Sequence, residues 1–190
     1  MREAKSTECY IHAPYFINLG STNNRIYYGS IYTLRDELER GSKLGVKYMM
    51  FHPGSGKDAG RKKGLELVVK GIDKILDGYD GSCQLLIENS AGAGEILCDT
   101  FEEIAYVLKK IKRSKDVGIC FDTCHAFASG YDLRTQEDVD RVIKEFDKII
   151  GLEKLKMFQF NDSKIEINGK KDRHEVIGQG FIGEECFFAL

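Results

Sequence analysis

Four histidines and a few well-placed carboxylates carry the chemistry that this sequence offers. Short apolar runs end at His12, His52, Glu88, Asp122 and Gln159, each a residue with a lone pair to give a metal. The other two histidines stand beside acids, in Asp122-Thr-Cys-His125 and Asp172-Arg-His174. The Asp-Arg-His spacing puts both ligands on one side of an extended segment, because alternate residues face the same way. A carboxylate such as Glu88, directly after Leu85-Leu-Ile87, is costly to bury unless it is paired or bound to a metal. A single strand-end histidine such as His12 is more often a structural hydrogen-bonder, and either Asp–His pair alone reads equally well as a hydrogen bond. All four histidines fall at such positions, however, and together they favour a metal centre. Imidazole and carboxylate ligands without paired thiolates suit Zn²⁺, with Mn²⁺ or Fe²⁺ as alternatives.

These residues recur at near-equal spacing, which fits a repeated strand–helix unit whose buried parallel strands each deliver one polar residue at the carboxyl end. In a barrel those ends converge on one mouth. Helical periodicity fills the intervals: Ile31, Leu34, Leu38 and Leu44 mark one face, and Leu65, Val68, Val69, Ile72, Ile75 and Leu76 a second. Thr100-Phe-Glu-Glu103 is a capping-box start for a helix through about Lys112, with Ile104, Val107, Leu108 and Ile111 inward. Thr135-Gln-Glu-Asp138 opens a fourth helix carrying Val139, Val142, Ile143 and Phe146. Gly81, Gly118 and Gly151 are read as the returns to the next strand. The expected fold is α/β, an incomplete barrel of about five to six parallel strands with flanking helices, in one domain over residues 1–190.

With 190 residues the chain is long enough for one substantial core but short for a closed eight-stranded barrel, which usually needs roughly 250. An open sheet exposes edges, which motivates an oligomer that pairs or covers them. No apolar run approaches the roughly 20 residues of a membrane span, and residues 1–6 lack a signal-peptide core. The six cysteines show no close Cys-x-x-Cys pairing, so a reduced, cytoplasmic setting is expected rather than a disulfide framework. A net charge of −2 neither announces nor excludes a nucleic-acid partner, since bound cations would neutralise carboxylates at the site.

Several segments resemble the endonuclease IV family of apurinic/apyrimidinic endonucleases. They are Ile11-His-Ala-Pro-Tyr-Phe-Ile-Asn-Leu19, Phe51-His-Pro-Gly-Ser55, Ile87-Glu-Asn-Ser-Ala-Gly92, Phe121-Asp-Thr-Cys-His-Ala-Phe-Ala-Ser-Gly-Tyr-Asp-Leu133, Phe160-Asn-Asp-Ser-Lys164, and Asp172-Arg-His174 through Gly178-Gln-Gly-Phe-Ile-Gly183. The resemblance runs from about residue 9 onward, in order and spacing. It implies a (β/α)₈ TIM barrel of the xylose-isomerase-like type, with up to three zinc ions in its C-terminal mouth. It implies base excision repair chemistry: hydrolysis of the phosphodiester 5′ to an abasic site in double-stranded DNA, leaving a 3′-hydroxyl. By motif position, His12, His52 and Glu88 would hold the first metal, and Glu88 would bridge to a second held by Asp122. Glu88 and Asp122 are thereby the expected catalytic carboxylates. His125, Asp172 and His174 would hold the third ion. Tyr15 and Phe16 match positions that intrude into DNA at the lesion, where an aromatic wedge compensates for unstacking; packing under the loop is the plainer reading. Lys171 and Arg173, with Lys170, are expected at phosphates, as are Lys57, Arg61, Lys62 and Lys63, although a solvated charged face explains the second cluster as well.

The sequence also departs from the pattern. Gln159 stands where the family has a histidine ligand, and an amide oxygen is a weaker zinc ligand than imidazole. The resemblance further implies that the family's first two strands and its last metal carboxylate fall outside residues 1–190. The expectation is therefore one or two bound metals and activity below that of a full family member. Two other readings use the same residues: a metal-binding remnant without activity, and a metal-dependent sugar isomerase or epimerase on the same barrel.

Overall fold

The computed structural model describes residues 9–190; the reading of residues 1–6 as lacking a signal core falls outside them. Five parallel strands form a half-barrel with flanking helices. In chain order they are β1 (Tyr10–His12), β2 (Tyr48–Phe51), β3 (Gln84–Glu88), β4 (Val117–Asp122) and β5 (Leu155–Gln159), and their spatial order is the same. Four helices fill the crossovers or lie against them: α1 (Asn24–Lys43), α2 (Arg61–Leu76), α3 (Phe101–Lys110) and α5 (Gln136–Ile149). The short helix α4 (Thr123–Ser129) follows β4 directly, a two-stranded antiparallel ribbon joins β6 (Asp162–Ser163) to β7 (His174–Glu175), and α6 (Glu185–Ala189) closes the order. Among the described residues no helix is long and apolar enough to cross a membrane.

Strand alternation explains how the polar strand ends come to share one face. Met49, Phe51, Leu85, Ile87, Ile119 and Phe121 turn outward into the core under the helices, where they meet Leu34, Leu38, Val68, Ile72, Ile104 and Val107. The residues between them, Met50, Leu86 and Cys120, form a second apolar cluster on the inner face with Tyr48 and Met157. Continuing the same alternation by one residue puts Glu88 and Asp122 on that inner face. In the outermost strands Ile11 and Phe158 pack against the helix-side core, which leaves His12 and Gln159 facing inward.

Local signals set the helices. Asn23, Thr100 and Thr135 each accept a backbone N–H in the first turn of the helix that follows, caps worth about 1 kcal/mol apiece. The capping box at Thr100 is only half formed: Glu103 takes the Cys98 N–H instead of reaching back to Thr100. The helix also ends at Lys110 rather than Lys112. Leu44, expected on the buried face of α1, sits at the helix's C-terminal cap and is 78% exposed. Gly118 is not a turn but the second residue of β4. A Cβ there would stand 2.8 Å from the Leu86 Cδ2 and 2.6 Å from the Lys156 Cγ, so the residue is small because neighbouring strands leave no room.

Candidate metal centre

All five strand ends deliver their polar residue to one mouth. His12, Glu88, Asp122 and Gln159 are the last residues of β1, β3, β4 and β5, and His52 is the first residue after β2. Glu88 is the hub. Its carboxylate is fully buried, with Oε2 3.2 Å from the His12 Nε2 and Oε1 3.7 Å from the His52 Nε2 and 3.3 Å from the His125 Nδ1. Asp122, equally buried, ends the neighbouring strand, and its Oδ1 caps the turn into α4 by accepting the His125 N–H at 2.9 Å. That turn is why Asp122 and His125 point into the same space.

The last two ligand candidates arrive on the β6–β7 ribbon. Asp172 precedes β7 and His174 begins it, so both reach back over the mouth. The Asp172 Oδ2 lies 3.2 Å from the His125 Nε2, and its Oδ1 lies 3.1 Å from the His174 Nε2. His174 and His125 face each other nitrogen to nitrogen at 3.3 Å. The ring orientations are set from behind. The His12 Nδ1 donates to the Ala13 carbonyl at 2.7 Å and the His125 Nδ1 to the Asn89 carbonyl at 3.0 Å. Each ring therefore offers Nε2 to the mouth, the arrangement seen when a backbone acceptor fixes the tautomer of a ligating histidine.

The electrostatics follow from this crowding. Burial pushes the Glu88 carboxyl up, but hydrogen bonding to His12 and His125 and the charge of His52 more than offset it, leaving it at about 2. His12 is raised, first by its contact with Glu88. Burial lowers His125, but Asp122, Asp172 and Glu88 outweigh it and hold the ring well above its ordinary value. His52 is lowered by burial, and Asp122 is raised by burial against the pull of His125. Contact with His125 lowers Asp172.

The donor set fits divalent cations. Ligand atoms of His12, His52 and Glu88 lie within 4.8 Å of one another, as do those of His125, Asp172 and His174, and those of Glu88, Asp122 and His125. Both Glu88 oxygens are buried with no hydrogen-bond partner of good geometry, although two imidazoles stand close by. A buried carboxylate with imidazole nitrogens close on several sides is what a bound cation would complete.

The surroundings separate the remaining candidates. A cleft of about 360 Å³ opens beside the histidines, lined by Tyr15, Phe16, His52, Ser55, His125 and Asp172 among others. Tyr15 is 82% exposed and Phe16 67%, so neither is packing under its loop. Their loop is tied to the one after His52 through Asn18, whose Oδ1 accepts from the Gly20 and Ser55 amides. Gly54 between them has φ +99°, and a Cβ there would stand 2.3 Å from that same Oδ1, so the loop requires glycine. Lys171 and Arg173 are exposed beside Asp172. Arg61 is not available for phosphate: its guanidinium is bound to Asp99, Glu103 and the Ile96 carbonyl. Lys170 is likewise occupied by Asp99 and the Ser129 carbonyl, whereas Lys57, Lys62 and Lys63 are exposed. Gln159 stands opposite Asp122 in register, at the rim of the cluster.

Three supporting residues escaped the sequence reading. Asn89 brackets Asp122 by accepting its N–H and donating to its carbonyl, and the Asn161 Nδ2 donates to the Asp122 Oδ2 at 2.6 Å. Asp162 is fully buried and accepts the amides of Ser163, Gly178, Gly180, Ile182 and Gly183, which pins the loop after His174. Their only signal was a polar residue adjoining a candidate ligand or opening a glycine-rich stretch.

Comparison with known proteins converges on one group. The profile of the xylose isomerase-like TIM barrel family matches residues 1–190. A probable endonuclease 4 of Campylobacter curvus is 42% identical over 177 residues, covering 93% of this chain and 62% of that protein. One from Bacillus subtilis is 38% identical over 184 residues, covering 96% of this chain and 61% of its own length. The crystal structure of endonuclease IV from Thermus thermophilus superposes with a TM-score of 0.83 at 36% identity, over 96% of this chain and 63% of that one. A D-tagatose 3-epimerase-like protein, at 23% identity and a TM-score of 0.73, shares the fold alone. The chain spans about three fifths of the length of the curated relatives it matches.

Proposed function

Because the chain belongs to the xylose isomerase-like TIM barrel family, with endonuclease 4 proteins among its relatives, we propose that it is a metal-dependent endonuclease of the endonuclease IV type. The proposed reaction is hydrolysis of the phosphodiester 5′ to an abasic site in duplex DNA, leaving a 3′-hydroxyl, as a step of base excision repair. The observation that carries this reading is the convergence of His12, His52, Glu88, Asp122, His125, Asp172 and His174 on one mouth, beside exposed Tyr15 and Phe16.

In this reading His12, His52 and Glu88 would hold one zinc ion and His125, Asp172 and His174 another, and Asp122 with Glu88 would serve a further position. Manganese is the alternative metal. Bound there, divalent ions supply activation of water at neutral pH and neutralisation of phosphoryl charge. The residues of the chain do the rest. Backbone carbonyls hold the His12 and His125 rings in the tautomer that presents Nε2. Asn89 fixes the Asp122 backbone and Asn161 its carboxylate. Tyr15 and Phe16 fill the space left in the stack when the abasic nucleotide turns out, and Lys171 and Arg173 meet phosphates beside the ribbon. The amide of Gln159 makes the position beside Asp122 the weakest of the three for metal, and we expect reduced occupancy and turnover. A cytoplasmic setting belongs to the same reading, since six unpaired cysteines persist where thiols stay reduced.

A sugar epimerase on the same barrel is the second reading, favoured by the fold likeness to the epimerase-like protein. The two exposed aromatics at the rim weigh against it, since a small polyol leaves them in water. Incubating the zinc-loaded chain in parallel with an abasic-site duplex and with a ketohexose separates the two. Nicked DNA and unchanged sugar supports the nuclease; epimerised sugar with intact DNA refutes it.

A further inference from the structure

Gln159 leaves Asp122 without the imidazole expected beside it, but a further donor, so far unassigned, stands next to it. The Cys124 Sγ, an Asp122 carboxylate oxygen and a His174 ring nitrogen all lie within 4.8 Å of one another. We propose that Asp122, Cys124 and His174 form a thiolate-containing site selective for a zinc-like, borderline-soft divalent cation. The proposal rests on the metal-centre reading above and names the donor that replaces the missing imidazole.

The local fold brings the three together. Asp122 ends β4 and Cys124 is the second residue of α4, so the strand-to-helix turn folds their side chains into one space. The Cys124 Sγ already rests against the segment that carries His174, 3.6 Å from the Arg173 carbonyl, a long and weak contact for a thiol. It is fully buried, so a cation bound there has no competing water on the sulfur side. The Asp122 carboxylate accepts one hydrogen bond on each oxygen, from the His125 N–H and the Asn161 Nδ2, and keeps lone pairs for a ligand bond. Asp122 also groups with Glu88 and His125, so the Cys124 position adjoins the metal centre described above.

Two consequences follow from donor chemistry. A sulfur ligand favours zinc and cobalt over manganese or magnesium, so this position sharpens the preference for zinc beyond what imidazole and carboxylate give. The His174 Nε2 stands 3.8 Å from the Asp122 Oδ2 and 3.1 Å from the Asp172 Oδ1. His174 belongs to both groups, so a cation at Cys124 competes for it with one at His125 and Asp172. Binding through sulfur releases the thiol proton to the buffer.

The test is cobalt loading of the full chain, read by absorption. The expected result is a near-ultraviolet sulfur-to-cobalt charge-transfer band that survives Cys9→Ser and is lost in Cys124→Ser. X-ray absorption of the zinc-loaded wild type, which depends on no variant folding, should show a sulfur scatterer at about 2.3 Å. Visible ligand-field bands without the charge-transfer band or the sulfur scatterer would overturn the proposal and leave the metal centre standing, with Cys124 a structural thiol. No cobalt or zinc uptake at all would overturn both.

Discussion

Asp162→Asn tests how the third group of ligands is held in place. In the native chain one carboxylate takes five backbone amides. Its Oδ1 accepts from Ser163 at 2.7 Å and Ile182 at 2.9 Å, and its Oδ2 from Gly178 and Gly180 at 3.0 Å and Gly183 at 3.3 Å. Asparagine keeps the volume and one acceptor oxygen but turns an NH₂ toward the three glycine amides. An amide left without its acceptor costs about 1 to 3 kcal/mol, which sets a ceiling of about 9 kcal/mol for three. Gly178 is exposed and Gly180 and Gly183 are partly so, and water can reach them as the loop loosens. The expected loss therefore lies near the lower bound, about 3 kcal/mol, or on the order of a hundredfold in the local opening equilibrium. Because the loop hangs on the β6–β7 ribbon, the loss should be local. Hydrogen exchange of the Gly180, Ile182 and Gly183 amides should accelerate about a hundredfold while β3 and β4 stay protected. Zinc capacity should fall with it, because His174 and Asp172 ride on the same ribbon. Exchange within a factor of about three of wild type at those amides would show that Asp162 does not hold this loop.

Three further outcomes follow from the same geometry. Phe101→Ala removes a buried ring stacked 4.0 Å from Tyr131 and set edge-on against Phe146, and should cost about 3 to 5 kcal/mol in urea unfolding. The Asp58 carboxyl is held below its ordinary 3.8, first by the Ser21 hydroxyl and also by the Thr22 amide and hydroxyl. Its stabilisation is present above that ordinary value and is lost as pH falls through the lowered one, so acid unfolding should begin at lower pH in wild type than in Asp58→Asn. Zinc should raise the melting temperature, with about 2.7 kcal/mol gained at a hundredfold excess over Kd; His52→Ala and Glu88→Gln should blunt the gain, and a chelator should reverse it.

Much of this arrangement was legible in the sequence because the signals were local. A run such as Cys-Gln-Leu-Leu-Ile before Glu88 declares a buried strand and a costly carboxylate in the same few residues, and alternation then dictates which face the carboxylate takes. Thr100 and Thr135 announced their helices for the same reason. What was not legible depended on distant partners. Gly118 read as a turn because its real constraint, the crowding of Leu86 and Lys156 from neighbouring strands, has no sequence signature. Arg61 read as a free cation because Asp99 and Glu103 come from the following crossover. Leu44 fitted the helical spacing but fell where the chain leaves α1. Asn89, Asn161 and Asp162 do their work through backbone amides and carbonyls of other segments, and periodicity does not report on those.

We propose that the histidine and carboxylate mouth cuts DNA at abasic sites with the help of metal. The most direct measurement is incision of an end-labelled duplex carrying one synthetic abasic site, with zinc or manganese added, beside a chelator and His52→Ala. A single cut 5′ to the lesion that leaves an extendable 3′-hydroxyl is expected, and it should be lost with chelator or in the variant. An intact duplex at every metal concentration, from protein shown to hold zinc, would contradict it.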